Sequence, residues 1–157
     1  MTETYIANAV ELDESKDLDK LVFIALDDAS EKLEQSGQIE PFSIVLHNEN
    51  LHFESYLGED EDEWRSAAST AISQLAHVME AYVFAYDGYV DTDEGEEDAI
   101  IVERGIPGSP DAEVFALLYT LEEAGDGSLT FDEAIYELGT APSLLQDSLG
   151  TSQGTEE

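Results

Sequence analysis

Residues 64–103 read WRSAASTAISQLAHVMEAYVFAYDGYVDTDEGEEDAIIVE, and a change of period inside this stretch decides the fold class. Trp64, Ala68, Ala71, Ile72, Leu75, Val78, Met79 and Tyr82 recur at three- and four-residue steps, with Arg65, Ser69, Ser73, Gln74, His77 and Glu80 between them. That spacing predicts an amphipathic helix with one buried stripe and one wet face. From residue 83 to residue 90 aromatic and branched residues crowd together. Asp93-Glu94-Gly95 then supplies a turn, and residues 99–102 resume as a short apolar run. A β-hairpin packed on the preceding helix is the expectation.

Upstream, Leu18, Leu21, Val22, Ala25, Leu26, Ala29 and Leu33 form a second helical stripe, with Ser15 as its N-cap and Gly37 as its stop. Residues 1–15 carry mixed signals and receive no assignment. After Pro41 the period becomes two: Phe42, Ile44 and Leu46 alternate against Ser43, Val45 and His47. Asn48-Glu49-Asn50 turns the chain, and Leu51, Phe53 and Ser55 alternate against His52, Glu54 and Tyr56 on the way back. The acids at 59–63 stand at the start of the central helix, where negative charge favours the macrodipole.

Downstream, residues 104–110 (RGIPGSP) are a loop. Residues 113–121 (EVFALLYTL) are apolar on both alternations, which fits a strand covered on both faces or a helix. Residues 131–138 are expected to pair back, 141–145 to form a short terminal turn, and 150–157 to be a disordered polar tail. The fold class is therefore α+β: one domain over residues 1–149, with an antiparallel sheet of about five or six strands and two main helices packed on one face. With both helices on one face, a second copy of the chain is the expected cover of the other, giving a homodimer.

Composition narrows the function classes. The chain has 157 residues, enough for a real core, and 42 % of them are apolar. Against 38 acids stand only 5 Lys and Arg, a net charge of -33. Spread over about 7,800 Å² of folded surface, the acids average ~14 Å apart, beyond the ~8 Å Debye length at physiological salt. Scattered acids hardly repel there, whereas clusters still do. Such a surface repels phosphates, which argues against nucleic acid and anionic membranes as partners. Cysteine is absent, so thiolate chemistry and Cys-ligated metals are excluded. With neither a basic, apolar leader nor a run long enough to span a bilayer, the expectation is a cytoplasmic protein.

Tyr86-Asp87-Gly88-Tyr89, Asp98-Ala99-Ile100-Ile101-Val102-Glu103 and Val114-Phe115-Ala116, in this order, resemble a family of small uncharacterised bacterial α+β proteins. The resemblance spans about residues 18–145 and implies a strand, not a helix, at 113–121. It implies no activity and no site residues.

Three constellations carry candidate chemistry. Residues 122–133 (EEAGDGSLTFDE) match the second half of a calcium-binding loop. Glu122, Asp126, Ser128, Thr130 and Glu133 stand at ligand positions one, five, seven, nine and twelve, Gly127 is at the tight turn, and Ala124 occupies the third position, where it cannot coordinate. Calcium is the cofactor such a loop would take, and a hairpin turn is the alternative. Asp91, Asp93, Glu94, Glu96, Glu97 and Asp98 surround a turn without the calcium-loop spacing and read as a solvated acidic turn. His47, His52 and Asp87 would make an acid–base site if their strands met, the third histidine being His77. Asp87-Gly88 otherwise reads as a bend or bulge using a positive φ.

The expected function is thus a non-catalytic, cytoplasmic interaction or regulatory module with a strongly acidic surface and a basic protein as partner. A weak calcium-binding protein, an acidic mimic of nucleic-acid charge and a small His/Asp enzyme are the alternatives. The acids themselves read first as an adaptation of the whole surface to high salt, since they occur in every loop and on both helices.

Overall fold

The computed structural model describes residues 8–10, 16–56, 60–92, 95–121, 129–131 and 135–145. In chain order these form β1 (Asn8–Val10), α1 (Asp17–Ser36), β2 (Phe42–His47), β3 (Asn50–Ser55), α2 (Glu61–Ser73), β4 (Ala81–Thr92), β5 (Gly95–Gly105), β6 (Asp111–Leu121), β7 (Leu129–Phe131) and β8 (Ile135–Pro142). Seven strands make one antiparallel sheet in the order β1-β8-β6-β5-β4-β2-β3, and the short β7 pairs with the far end of β6. The α+β class holds. The sheet is wider than the five or six strands expected because β1 adds to β8, while the strand expected at 131–138 divides into β7, off the main path, and β8.

The two helices lie on opposite faces, and this corrects the expectation of one shared face. Side chains alternate across a strand. Ile44, Val83, Ile100, Val102 and Phe115 join the core under α1, with Leu21, Val22, Ala25, Leu26, Ala29 and Leu33. Val45, Tyr82 and Phe84, their neighbours in sequence, join the core under α2, with Ala68 and Ile72. β2 is consequently buried on both alternations instead of one. β6 is a strand, as the first of its two readings and the resemblance had it, and it is interior. Phe115 points into the α1 core while Ala116 and Leu118 join a third cluster on the other side, with Val90, Ala99 and Ile101. One chain thus accounts for the double apolarity of residues 113–121, which calls for no second copy to cover a face.

Helix boundaries follow local chemistry at two of the four ends. Gly37 closes α1 at φ 78°, its N–H bonded to the carbonyl of Leu33 at 2.8 Å. Lys16, with no side-chain cap, precedes α1; Ser15 lies outside the described residues. Asp60 caps α2 by accepting from the Glu63 N–H at 3.0 Å, and Glu61, Asp62 and Glu63 fill the first turn. At its other end α2 stops at Ser73, well before the stripe expected to run to Tyr82. Residues 74–78 tighten into turns, and the Glu80 N–H bonds the Leu46 carbonyl at 2.8 Å. Pairing of β4 with β2, which sets Ala81 opposite Leu46 and Tyr82 opposite Val45, overrides the helical spacing of Leu75, Val78, Met79 and Tyr82.

Gly88 lies within an unbroken register of β4 against β5, so the expected bulge with positive φ is absent. It serves packing instead. A Cβ on Gly88 would stand 3.0 Å from Ile101 Cγ1. Among the described residues no helix is long and apolar enough to cross a membrane. The expected tail at 150–157 lies outside the described residues.

Candidate functional site

Of the calcium-loop ligand positions only Thr130 is described: it lies in β7, opposite Thr120 of β6. Glu122, Asp126, Ser128 and Glu133 lie outside the described residues, as do Asp93 and Glu94 of the acidic turn. Among the described residues no group of three His, Asp or Glu side chains gathers closely enough to hold a metal ion.

The sheet keeps the His/Asp candidates apart. His47 extends β2 beyond Leu46, which faces Ala81, whereas Asp87 extends β4 past Ala85, which faces Phe42. At about 3.3 Å per residue their separation along the sheet is roughly 20 Å, and they point to opposite faces. His52 is exposed on β3 with its Nε2 3.6 Å from Glu54, and His77 is exposed in the turn after α2. No acid–base pair forms among these residues.

Asp87 instead accepts from the Tyr119 hydroxyl at 2.6 Å. Burial raises the Asp87 carboxyl above its ordinary value, the Tyr119 hydrogen bond offsets part of that, and the charge of Asp98 adds to it. A raised native-state value means that this residue's stabilising contribution is complete in acid and is lost as pH rises through that value. Asp87→Asn keeps the acceptor oxygen and removes the charge. Urea unfolding of the variant should show a gain of about 0.5 kcal/mol at pH 7, small because Asp87 is only partly buried and is screened by solvent, and no gain near pH 3.

The structure does assemble a charged cluster that neither motif nor spacing announced. Glu103 on β5 is only 2 % exposed. Arg65 reaches it from α2 with two parallel hydrogen bonds, Nη1 to Oε1 at 3.1 Å and Nη2 to Oε2 at 2.6 Å, and the Tyr86 hydroxyl donates to Oε2 at 2.7 Å. The guanidinium also lies 5.4 Å and 5.5 Å from the ring centres of Phe84 and Tyr86. Burial opposes the Arg65 charge, but the hydrogen bonds and charge of Glu103 outweigh it and raise its pKa. Burial, and then the Glu103 carboxylate, hold the Tyr86 phenol far above its ordinary value, so it stays a neutral donor.

Directly after Glu103, Arg104 points to the other face. It bonds Asp19 of α1 at 2.8 Å and pairs with Glu113 of β6. Two consecutive residues of the central strand thus tie the sheet to both helices, with acid and base exchanged between the faces. An open cleft of about 640 Å³ lies beside the first pair, between α2 and the turn at Ser143 and Leu144. Its walls are already joined: Ser69 Oγ donates to the Leu144 carbonyl at 2.7 Å, and the Leu144 N–H to the Tyr82 hydroxyl at 2.8 Å. The cluster acts as a clamp, its three polar side chains engaged by one another.

An exposed apolar surface lies on the other side, between α1 and β3. α1 packs chiefly on β4 and β5 and leaves β3, the edge strand, uncovered along its whole length. Phe53 is 48 % and Leu51 38 % exposed there. Two adjoining cavities of about 310 and 540 Å³ share Ile24 and run beside these residues. Asp27, Glu31 and Glu34, one helical turn apart along α1, wall the larger one, together with Asp28, which pairs with Lys32. The alternation of Leu51 and Phe53 was legible, but not that their strand ends the sheet. Helical spacing alone puts Arg65 on the wet face of α2; its position next to Trp64, in a chain with so few bases, is the signal that points to the clamp.

No family model matches this chain. No curated protein matches it, and no solved structure does.

Proposed function

We propose that the protein is a non-catalytic, cytoplasmic interaction module that takes a basic, amphipathic helix of a partner protein in the groove between α1 and β3. The observation that carries this reading is the pairing of exposed Leu51 and Phe53 with the acidic wall of Asp27, Glu31 and Glu34. Scattered acids keep a protein soluble, but acids lined along an apolar floor select an amphipathic cation. The spacing suits a helix. β3 lies two strands from β4, about 10 Å, and packed helices stand 8–10 Å apart, so a helix laid beside α1 sits over β3.

A lysine-rich amphipathic helical peptide, titrated by fluorescence anisotropy against a scrambled peptide of the same composition, tests it. The amphipathic peptide should bind about tenfold more tightly than the scrambled one, and Phe53→Asp, at an exposed position, should abolish that difference. Binding should weaken steeply as KCl rises. Equal affinity for the two peptides would reduce the acids to nonspecific attraction and overturn the reading.

A further inference from the structure

We infer that the outer edge of β3 pairs with β3 of a second copy of this chain, centred on Phe53. The parity of the hairpin determines which backbone groups are free. Asn48 and Glu49 have φ of 53° and 69°, and the two-residue turn they form is closed by His47 and Asn50 as a hydrogen-bonded pair. The same parity continues to the Tyr56 N–H, which bonds the Pro41 carbonyl at 2.8 Å. Asn50, His52 and Glu54 therefore spend their backbone groups on β2, while Leu51, Phe53 and Ser55 direct theirs outward. No strand among the described residues covers that edge. The edge also lacks the lysines and prolines that usually guard one, and it displays Phe53 and Leu51.

An antiparallel partner must match outward residues with outward residues, which leaves two central registers for self-pairing. In one, Phe53 lies against the partner's Phe53, Leu51 against the partner's Ser55, and His52 against the partner's Glu54. In the other, His52 lies against the partner's His52 and Glu54 against the partner's Asn50. The first sets an imidazole N–H donor opposite a carboxylate twice over and stacks two aromatic rings, both favourable cross-strand pairs. His52 already stands 3.6 Å from its own Glu54, so imidazole and carboxylate alternate around the dyad. Donor–acceptor complementarity thus selects a second copy in the first register, through an isologous contact.

The dyad stands normal to the sheet, so both α1 helices remain on one face, with five strand spacings, about 24 Å, between the two β4 strands. The acidic walls face β3 and so approach the dyad from both sides, and salt, with a Debye length of about 8 Å at physiological strength, screens the repulsion between them. Salt therefore strengthens the dimer, whereas it weakens capture of a basic helix. His52 and Glu54, opposite Val45 and Ser43 of β2, lie on the face away from the groove beside α1, so exchanging them tests the pairing without touching the proposed helix site.

Sedimentation equilibrium of the full chain from ~10 to ~500 µM, at about 0.05 and 0.5 M KCl, tests the inference with three variants: His52→Glu, Glu54→His and the double exchange. Each single change sets like groups opposite one another, and the dimer should weaken about tenfold. The double exchange restores the complementary pairs and should return the constant to within about threefold of the wild type. Amide exchange at Leu51, Phe53 and Ser55 should slow as concentration rises. A monomer throughout, a dimer that salt weakens, or a dimer that the double exchange does not rescue would overturn the inference.

Discussion

Arg65→Met is expected to destabilise the protein by about 3 kcal/mol at pH 7, read as a fall in the urea midpoint with an unchanged slope. The loss arises from what remains. Glu103 is 2 % exposed, and without the guanidinium its carboxylate keeps only the Tyr86 hydroxyl, which donates at 2.7 Å. That surviving bond sets the cost at the low end of the range for a broken buried ion pair. The reverse change should be milder. Glu103→Gln leaves a guanidinium that is 26 % exposed and whose Nε already lies 3.4 Å from Glu61, so it turns to that partner and to water at a cost of about 1 kcal/mol. The double variant Arg65→Met, Glu103→Leu should recover most of the stability, because well-packed apolar groups replace a buried pair at little net cost. If Arg65→Met and Glu103→Gln cost the same, Glu103 is not held as a buried charge.

Gly105→Ala should be about as damaging, near 3 kcal/mol in the same measurement. Gly105 has an ordinary strand conformation, and its role is the space beside it. An added Cβ would meet the Tyr82 ring at 2.4, 2.5 and 2.6 Å. The ring cannot step aside easily. Tyr82 is fully buried opposite Gly105, and its hydroxyl receives the Leu144 N–H at 2.8 Å and lies 3.3 Å from Ser143 Oγ. Tyr82→Phe alone should cost about 1 kcal/mol, the worth of that bonding. In Gly105→Ala, Tyr82→Leu, the smaller side chain should relieve the clash, so that the two changes together cost less than their sum. Simple additivity would rule out the ring contact as the cause.

Much of the architecture could be read from periodicity. The α1 stripe, the Gly37 stop, the first hairpin and the β4–β5 hairpin are where the residue spacing puts them, because each is set by side chains a few positions apart. The end of α2 was misread because Leu75, Val78, Met79 and Tyr82 keep helical spacing while β2 recruits residues 81–85 into the sheet. The Arg65–Glu103 clamp and the open edge at β3 had no local signature. Their partners lie 38 residues apart in one case and are absent from the strand order in the other.

The sequence by itself determined that this is an α+β chain with a real core, a surface of extreme negative charge, no thiol chemistry, and helices and hairpins in a definite order. Those properties follow from composition and short-range spacing, which do not depend on where the elements go. Only the tertiary structure decided that the helices take opposite faces, that β6 is interior, that His47 and Asp87 never meet, and that Leu51 and Phe53 end the sheet in the open. The reason lies in the strand itself. Alternation says that two faces differ, but which face meets which helix, and which strand is left without a neighbour, depends on pairings between segments far apart in the chain.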